Sequence, residues 1–338
     1  MVFTATDGYQ KVRTTTAFGC REVTRWILIG MSCFIVYYVF FGDSNGSRVV
    51  RNNTKQGKLT VENICVGENW NSCALPMTNF EGEFRFAAKY HLNVCAIPKS
   101  ISTILTAVVC ALHDYGNFRR KNRKIIEELF DNRLCKGKNE VYTIDDLIKH
   151  PRSAFDRRNP LEWTHVVVVR EPMERFISGF LDRCIIHQTW KQEPNDCYYC
   201  KNNLTCFLEN LHATMWDDSK IYHTKDNYHY FPQSWWCEMG RYMARNFTIM
   251  KFSKENAEPF WREFFELLRA KGVSEDIIQF LNEGVHEGST SHSTYHMKEE
   301  KRKLIQELNK PYHMKLFLKM FYYDYVLFGY PLPNVDLE

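Results

Sequence analysis

The chain has 338 residues, 44% of them hydrophobic, and a net charge of +4. So small a charge gives no reason to expect nucleic acid as a partner. The hydrophobic content is enough for one large α/β domain or two small ones. Basic residues gather locally at 119–124 (RRKNRK), 136–138 and 298–303. Each such run reads either as a solvated face or as a surface for a polyanionic sugar chain.

In chain order, residues 1–22 form a short polar tail and 23–42 a membrane-spanning segment. The apolar core of that segment opens at Trp26 and closes at Phe41, sixteen residues without a charge (WILIGMSCFIVYYVFF). Flanking Val23, Thr24 and Gly42 extend it toward the length a bilayer requires. Lys11, Arg13, Arg21 and Arg25 precede it and Asp43 follows, which favours a cytosolic N-terminus and a body on the other side. A cleaved signal peptide is the rival. The run is long and aromatic for that, and no small-x-small cleavage site follows it. Residues 43–60, rich in Asn, Gly, Ser and charge, read as a stem, and 61–338 as the lumenal domain. Asn45, Asn52, Asn203 and Asn246 each open an N-x-S/T triplet beyond the span, as glycosylation in a secretory compartment requires. Of the 12 cysteines, Cys20 and Cys33 lie before or within the span, and the rest are many for a reducing compartment. Cys184, Cys197, Cys200, Cys206 and Cys237 point to disulfides that pin an insertion. Cys95 and Cys110 fit plain core thiols equally well. Cys197 and Cys200 form a C-x-x-C pair, but no partner motif of matching spacing accompanies it, so zinc is not expected.

Within the lumenal domain the periodicities predict a strand over 89–96 and helices over 104–114, 121–132 and 144–149. Four valines at 166–169 read as a central strand buried on both faces. A helix follows over 173–184, then a strand over 247–253. A helix over 258–271 is closed by Gly272, and another runs over 297–308. Strands alternating with helices predict an α/β fold built on a three-layer parallel sheet.

Two of these strand–turn–helix segments, 91–114 and 164–184, look built to hold phosphate. Each aims backbone N–H groups and the positive end of a helix dipole at an anion. The first turn carries Lys99, Ser100, Ser102 and Thr103. The second has Arg170 at the strand's end and Ser178 two turns into the helix. An alternative for Arg170 is a structural ion pair with Glu171 or Glu174. Neither turn has the glycines of a nucleoside-triphosphate P-loop, which speaks against a P-loop kinase. One lysine turn plus one Arg/Ser pair suits a ligand with phosphates at two ends.

The segments IPKSISTIL and VVVREPMERFISGF, together with HYFPQ at 229–233, FTIMKFS at 247–253 and the terminal YYDYVLFGYP, resemble the Golgi carbohydrate sulfotransferases. The resemblance is nearest to the branch containing chondroitin 4-O-sulfotransferases and covers most of the chain after about residue 90. It implies a P-loop-like sulfotransferase fold and a single-pass type II Golgi membrane protein with a lumenal catalytic domain. The implied activity is sulfuryl transfer from 3′-phosphoadenosine 5′-phosphosulfate (PAPS) to a carbohydrate hydroxyl, on a glycosaminoglycan such as chondroitin or on a glycoprotein glycan. It implies that Pro98, Lys99, Ser100, Ile101, Ser102 and Thr103 bind the 5′-phosphosulfate, and that Arg170 and Ser178 bind the 3′-phosphate. Ile101 departs from the small or polar residue expected in mid-turn. Arg175 fits a brace for the loop.

Sulfate carries less charge than a terminal phosphate, so the reaction needs no metal, and the chain shows no acidic metal cluster. It does need groups that hold donor and acceptor in line, neutralise the leaving phosphate and take up a proton. Lys99 is the candidate for the leaving group. For the base, His150 lies about where some heparan-type relatives carry a catalytic histidine, and His229 lies in an aromatic segment; Glu171 and Asp182 remain alternatives. His292, Ser293 and Thr294 are candidates for closing over the donor. Trp235 and Trp236 fit either sugar stacking or core. A non-catalytic glycan-binding membrane glycoprotein that keeps the fold is the competing reading.

Overall fold

The valine run organises the architecture in the computed structural model, which describes residues 58–338 apart from 77–79, 81, 129–131, 152–158, 217–224 and 289–296. The tail, the span, most of the stem, Asn45, Asn52 and the 292–294 loop therefore lie outside the described residues. No helix among the described residues is long and apolar enough to cross a membrane.

Among the described residues five strands form one sheet: β1 (Phe84–Ala87), β2 (Leu92–Cys95), β3 (Glu140–Val141), β4 (Thr164–Arg170) and β5 (Phe247–Phe252), in the order β3-β1-β2-β4-β5. β2, β4 and β5 run parallel, with Cys95 opposite Val167 and Arg170 opposite Phe252. β1 is antiparallel to both β2 and β3, so the expected all-parallel sheet is in fact mixed. The cause is the link between β1 and β2, a single turn over Ala88–Tyr90 ending at His91 with φ 49°. A parallel pairing needs a crossover of a dozen residues or more, which this link cannot supply.

Ten α-helices surround the sheet: α1 (Ser102–His113), α2 (Tyr115–Arg120), α3 (Ile144–Lys149), α4 (Pro172–Phe180), α5 (Leu204–Met215), α6 (Met239–Asn246), α7 (Glu258–Ala270), α8 (Glu275–His286), α9 (Lys298–Leu308) and α10 (Pro311–Phe328), counted among the described residues. Alternation along β4 divides them. Val166 and Val168 join Leu92 and Val94 in packing on α1, α7 and α8, while Val167 and Val169 face Cys95, Trp236, Met239 and α3. Helices therefore cover both faces of the sheet, and a third cluster, built from α4, α5, α9 and α10, holds no strand residue. All four valines have no exposed surface, each contributing roughly 1.5–3 kcal/mol of burial.

Two helix expectations are corrected. The segment expected as a helix over 121–132 is not an α-helix over its described part, 121–128. The chain turns at Asn122, φ 51°, and keeps a single helical turn at Ile125–Glu127. The buried Glu128 carboxylate takes Arg123 and, at 2.7 Å, the Leu134 N–H, so charged partners shape this segment together with the buried Ile125. The helix expected over 173–184 is α-helical to Phe180 and continues as a π-helix over Leu181–Ile186.

The cysteines at 65 and beyond are all bridged: Cys65–Cys73, Cys95–Cys237, Cys110–Cys135, Cys184–Cys197 and Cys200–Cys206. Cys95 and Cys110 are thus bridged, not plain core thiols. The last two bridges pin the insertion that follows the π-helix.

Candidate active site

Both turns lie at the carboxyl ends of neighbouring parallel strands, where ligands gather in open α/β sheets. Pro98, Lys99, Ser100 and Ile101 connect β2 to α1. Lys99 and Ile101 hold left-handed backbone conformations, φ 66° and 52°. For residues other than glycine this costs about 1–3 kcal/mol each and persists where surrounding contacts enforce it. Ile101 is the N-cap of α1 and gives it no side-chain hydrogen bond. The departure noted at this position thus has a consequence: the first-turn N–H groups keep their capacity for an anion. Ser102 and Thr103, the first two residues of α1, are partly exposed.

Ser100 behaves differently from expectation. It is fully buried, and its hydroxyl donates to Gln233 Oε1 at 3.2 Å. The same Gln233 oxygen accepts the Arg170 N–H at 2.9 Å, and Gln233 Nε2 donates to the Arg170 carbonyl at 2.8 Å. One amide thus joins the lysine turn to the end of β4. A buried carboxylate holds Gln233 in turn: Asp324 of α10 accepts the N–H groups of Gln233 (2.6 Å) and Ser234 (2.9 Å). Burial above all raises the Asp324 carboxyl pKa.

Arg170 and Arg175 have separate tasks. Arg170 pairs through Nε with Glu174 (3.2 Å), the structural ion pair raised as an alternative, and an η nitrogen reaches the Lys99 carbonyl at 3.4 Å. Arg175 is 2% exposed and donates to the carbonyls of Pro98 (2.9 Å), Phe231 (2.8 Å) and His229 (2.9 Å), so it braces the loop. Burial, opposed by Asp324 and reinforced by Arg170, pulls its pKa down to about 10. The N-terminus of α4 is already capped: Glu171 accepts the Glu174 N–H at 2.6 Å. The second helix dipole therefore meets a resident carboxylate, and an anion at this turn depends on side chains. Ser178, partly buried, shares a helix face with Glu174, the partner of Arg170.

Lys99 extends across Gly179, where an added Cβ would stand 2.9 Å from Tyr230 and 3.7 Å from Lys99 Cγ. Its ammonium pairs with Asp182 in the π-helix. Burial lowers the Lys99 pKa, Asp182 opposes that shift, and Arg183 and Arg175 add to it. The two histidine candidates part company. His229 is drawn to the lysine turn through the Arg175 contact with its carbonyl, and its ring stacks on Tyr228 at 4.5 Å. His150 caps the end of α3 with its ring 4.8 Å from Phe86. Phe86 is paired with Asn93, toward the end of β2 remote from Lys99. Trp235 and Trp236 are buried and belong to the core. Asn203 is exposed and caps α5, accepting the Cys206 N–H at 3.0 Å.

Three contributors escaped sequence reasoning. Gln233 was visible only as part of the HYFPQ match, and Asp324 only within the terminal tyrosine-rich segment. Lys254, two residues past β5, is half-buried, and its ammonium pKa is lowered by burial first, then by Arg170 and Lys301. Its charge lies within electrostatic reach of Arg170, and its position one strand over is the available signal.

The family model described as "Sulfotransferase family" matches residues 82–331. Among curated relatives, carbohydrate sulfotransferase chst-1 of Caenorhabditis elegans is 30% identical over 301 residues, 84% of this chain and 85% of the relative. Uncharacterized protein C18B2.2 of the same organism is 28% identical over 287 residues, 82% and 76% of the two chains. No solved structure matches. Because the matched stretch holds both turns, Gln233 and Asp324, the chain belongs to the sulfotransferase family.

Proposed function

We propose that the protein transfers a sulfuryl group from PAPS to a carbohydrate hydroxyl, on a glycosaminoglycan such as chondroitin or on a glycoprotein glycan. The observation that carries this reading is the Gln233 bracket. By bonding Ser100 and both backbone groups of Arg170, it fixes the lysine and arginine turns side by side, as a nucleotide with phosphates at its 5′ and 3′ positions would need. In this reading the α1 N-terminus with Ser102 and Thr103 receives the 5′-phosphosulfate, and Lys99 neutralises the bridging oxygen as the sulfur leaves it. Arg170, Ser178 and Lys254 receive the 3′-phosphate. The name of the chst-1 relative supports the carbohydrate acceptor.

We further propose a type II Golgi membrane protein with its catalytic domain in the lumen. The apolar run from Trp26 to Phe41 with its cationic flank supports the anchor. The five disulfides among the described residues support an oxidising compartment.

The test is incubation of the full-length protein with sulfur-labelled PAPS and a panel of desulfated chondroitin, dermatan, heparan and N-glycan acceptors. The expected result is label on at least one glycan, lost in Lys99→Ala and Arg170→Ala. Absence of label on every acceptor, or full activity in both variants, contradicts the reading.

A further inference from the structure

Asp182 has a second partner that the sequence did not reveal. Its Oδ2 pairs with Lys99, and its Oδ1 lies 3.2 Å from Nδ1 of His187. That same Nδ1 is 2.9 Å from the Asp182 carbonyl oxygen, which also accepts the His187 backbone N–H at 2.9 Å. A carbonyl can only accept, so Nδ1 carries the hydrogen and Nε2 holds the lone pair of the neutral ring. The π-helix makes this possible. Its closing hydrogen bond runs from residue 187 to residue 182, one residue further than an α-helix allows, and so folds His187 back over Asp182. The carboxylate is 5% exposed and the imidazole 41%. A buried acid therefore backs a ring that solvent, and hence a substrate, can reach.

We propose that His187 is the general base of sulfuryl transfer and that Asp182 is the positioning residue holding it in register with Lys99. The inference rests on the sulfuryl-transfer reading above. The acceptor oxygen attacks the sulfur of the phosphosulfate donor, and its proton passes to Nε2 of His187 as the new O–S bond forms. The bond from sulfur to the bridging phosphate oxygen breaks, and its electron pair departs with the 5′-phosphate beside Lys99. The imidazolium that forms stands against the Asp182 carboxylate, so one side chain couples the two ends of the reaction.

Asp182 faces the ring, Arg183 follows it in the π-helix, and Lys99 lies beyond Asp182. The pinned insertion adds Asp196, which pairs with Arg183 at 2.9 Å, and Lys191 lies in the turn between.

The test uses full-length protein, labelled PAPS and the best-labelled glycan of the panel. In His187→Gln the single-turnover rate should fall about 100-fold or more. Affinity for the desulfated nucleotide PAP should stay within about twofold of wild type, because only proton transfer is removed. Added imidazole should restore part of the rate in His187→Ala. Asp182→Asn should lower the single-turnover rate, and Asp182→Glu, which keeps the carboxylate, should restore part of it, a rescue that a purely structural role would not produce. That pair decides the matter if the His187 variants fail to fold. A His187→Gln enzyme within about threefold of wild type overturns the base assignment alone. A wild-type protein that neither binds PAP nor labels any glycan removes the sulfuryl-transfer reading, and the base with it.

Discussion

Substituting Gln233 with leucine tests the bracket on which the site is built. The side chain has no exposed surface and makes hydrogen bonds of 3.2, 2.9 and 2.8 Å to the Ser100 hydroxyl and to the Arg170 N–H and carbonyl. Leucine has a similar volume, so little of the effect comes from a cavity. The loss is three hydrogen bonds, two of them to backbone groups at a buried strand end, at about 1 kcal/mol each or more if a group stays unsatisfied. The expected destabilisation is about 3 kcal/mol, seen as a Tm lowered by about 5 °C. Ser100→Ala removes one of the three bonds and should cost about 1 kcal/mol. Differential scanning fluorimetry gives the stability, and titration with PAP gives the second readout. Gln233→Leu should weaken PAP at least tenfold because the two turns lose their fixed spacing. A variant within about 0.5 kcal/mol of wild type that also binds PAP normally would refute the bracket.

Other outcomes follow from the same contacts. Burial lowers the Lys99 pKa, so the ammonium is lost below the ordinary lysine value as pH rises. The alkaline limb of kcat/KM should therefore begin below about 10.5, and Lys99→Arg, at whatever reduced rate, should move that limb upward. Arg175→Met strips donors from three carbonyls and leaves the Asp324 carboxylate with less cationic compensation. It should cost about 3–5 kcal/mol in denaturant unfolding, whereas a loss under 1 kcal/mol would contradict the bracing role. The Cys95–Cys237 bridge spans 142 residues and Cys65–Cys73 spans 8. Chain entropy alone assigns them about 5 and 2.5 kcal/mol, so Cys95→Ala/Cys237→Ala should lower stability and PAP affinity more than Cys65→Ala/Cys73→Ala does.

What the sequence could show is what local pattern encodes. The valine run, the helix closed by Gly272 and the placement of Lys99 and Arg170 at strand ends all follow from periodicity and punctuation. β1 did not show itself because FRFA is only four residues, all buried, and its Arg85 is hidden by pairing with Glu83 at 2.9 Å. That conceals the alternation a half-buried strand would display. The π-helix is equally silent, since its apolar positions still pass for α-helical spacing and the extra residue shows only in the bond from His187 to Asp182. Gln233 and Asp324 act across 63 to 133 residues of sequence. No local signal marks either residue, and the family resemblance marked only the segments that contain them. The capping of α4 by Glu171 shows the opposite lesson. The motif was read, but its own acidic residue fills the dipole end that was expected to await a ligand.

The claim that everything else depends on is that the two turns grip different phosphates of one nucleotide. Isothermal titration of wild type, Lys99→Ala and Arg170→Ala with PAP and with adenosine 5′-monophosphate, which lacks the 3′-phosphate, separates them. Lys99→Ala should weaken both nucleotides by a similar factor, about tenfold or more, while Arg170→Ala should weaken PAP by that factor and leave the monophosphate nearly unchanged. Equal losses for both nucleotides in Arg170→Ala, or no loss in either variant, would contradict the account.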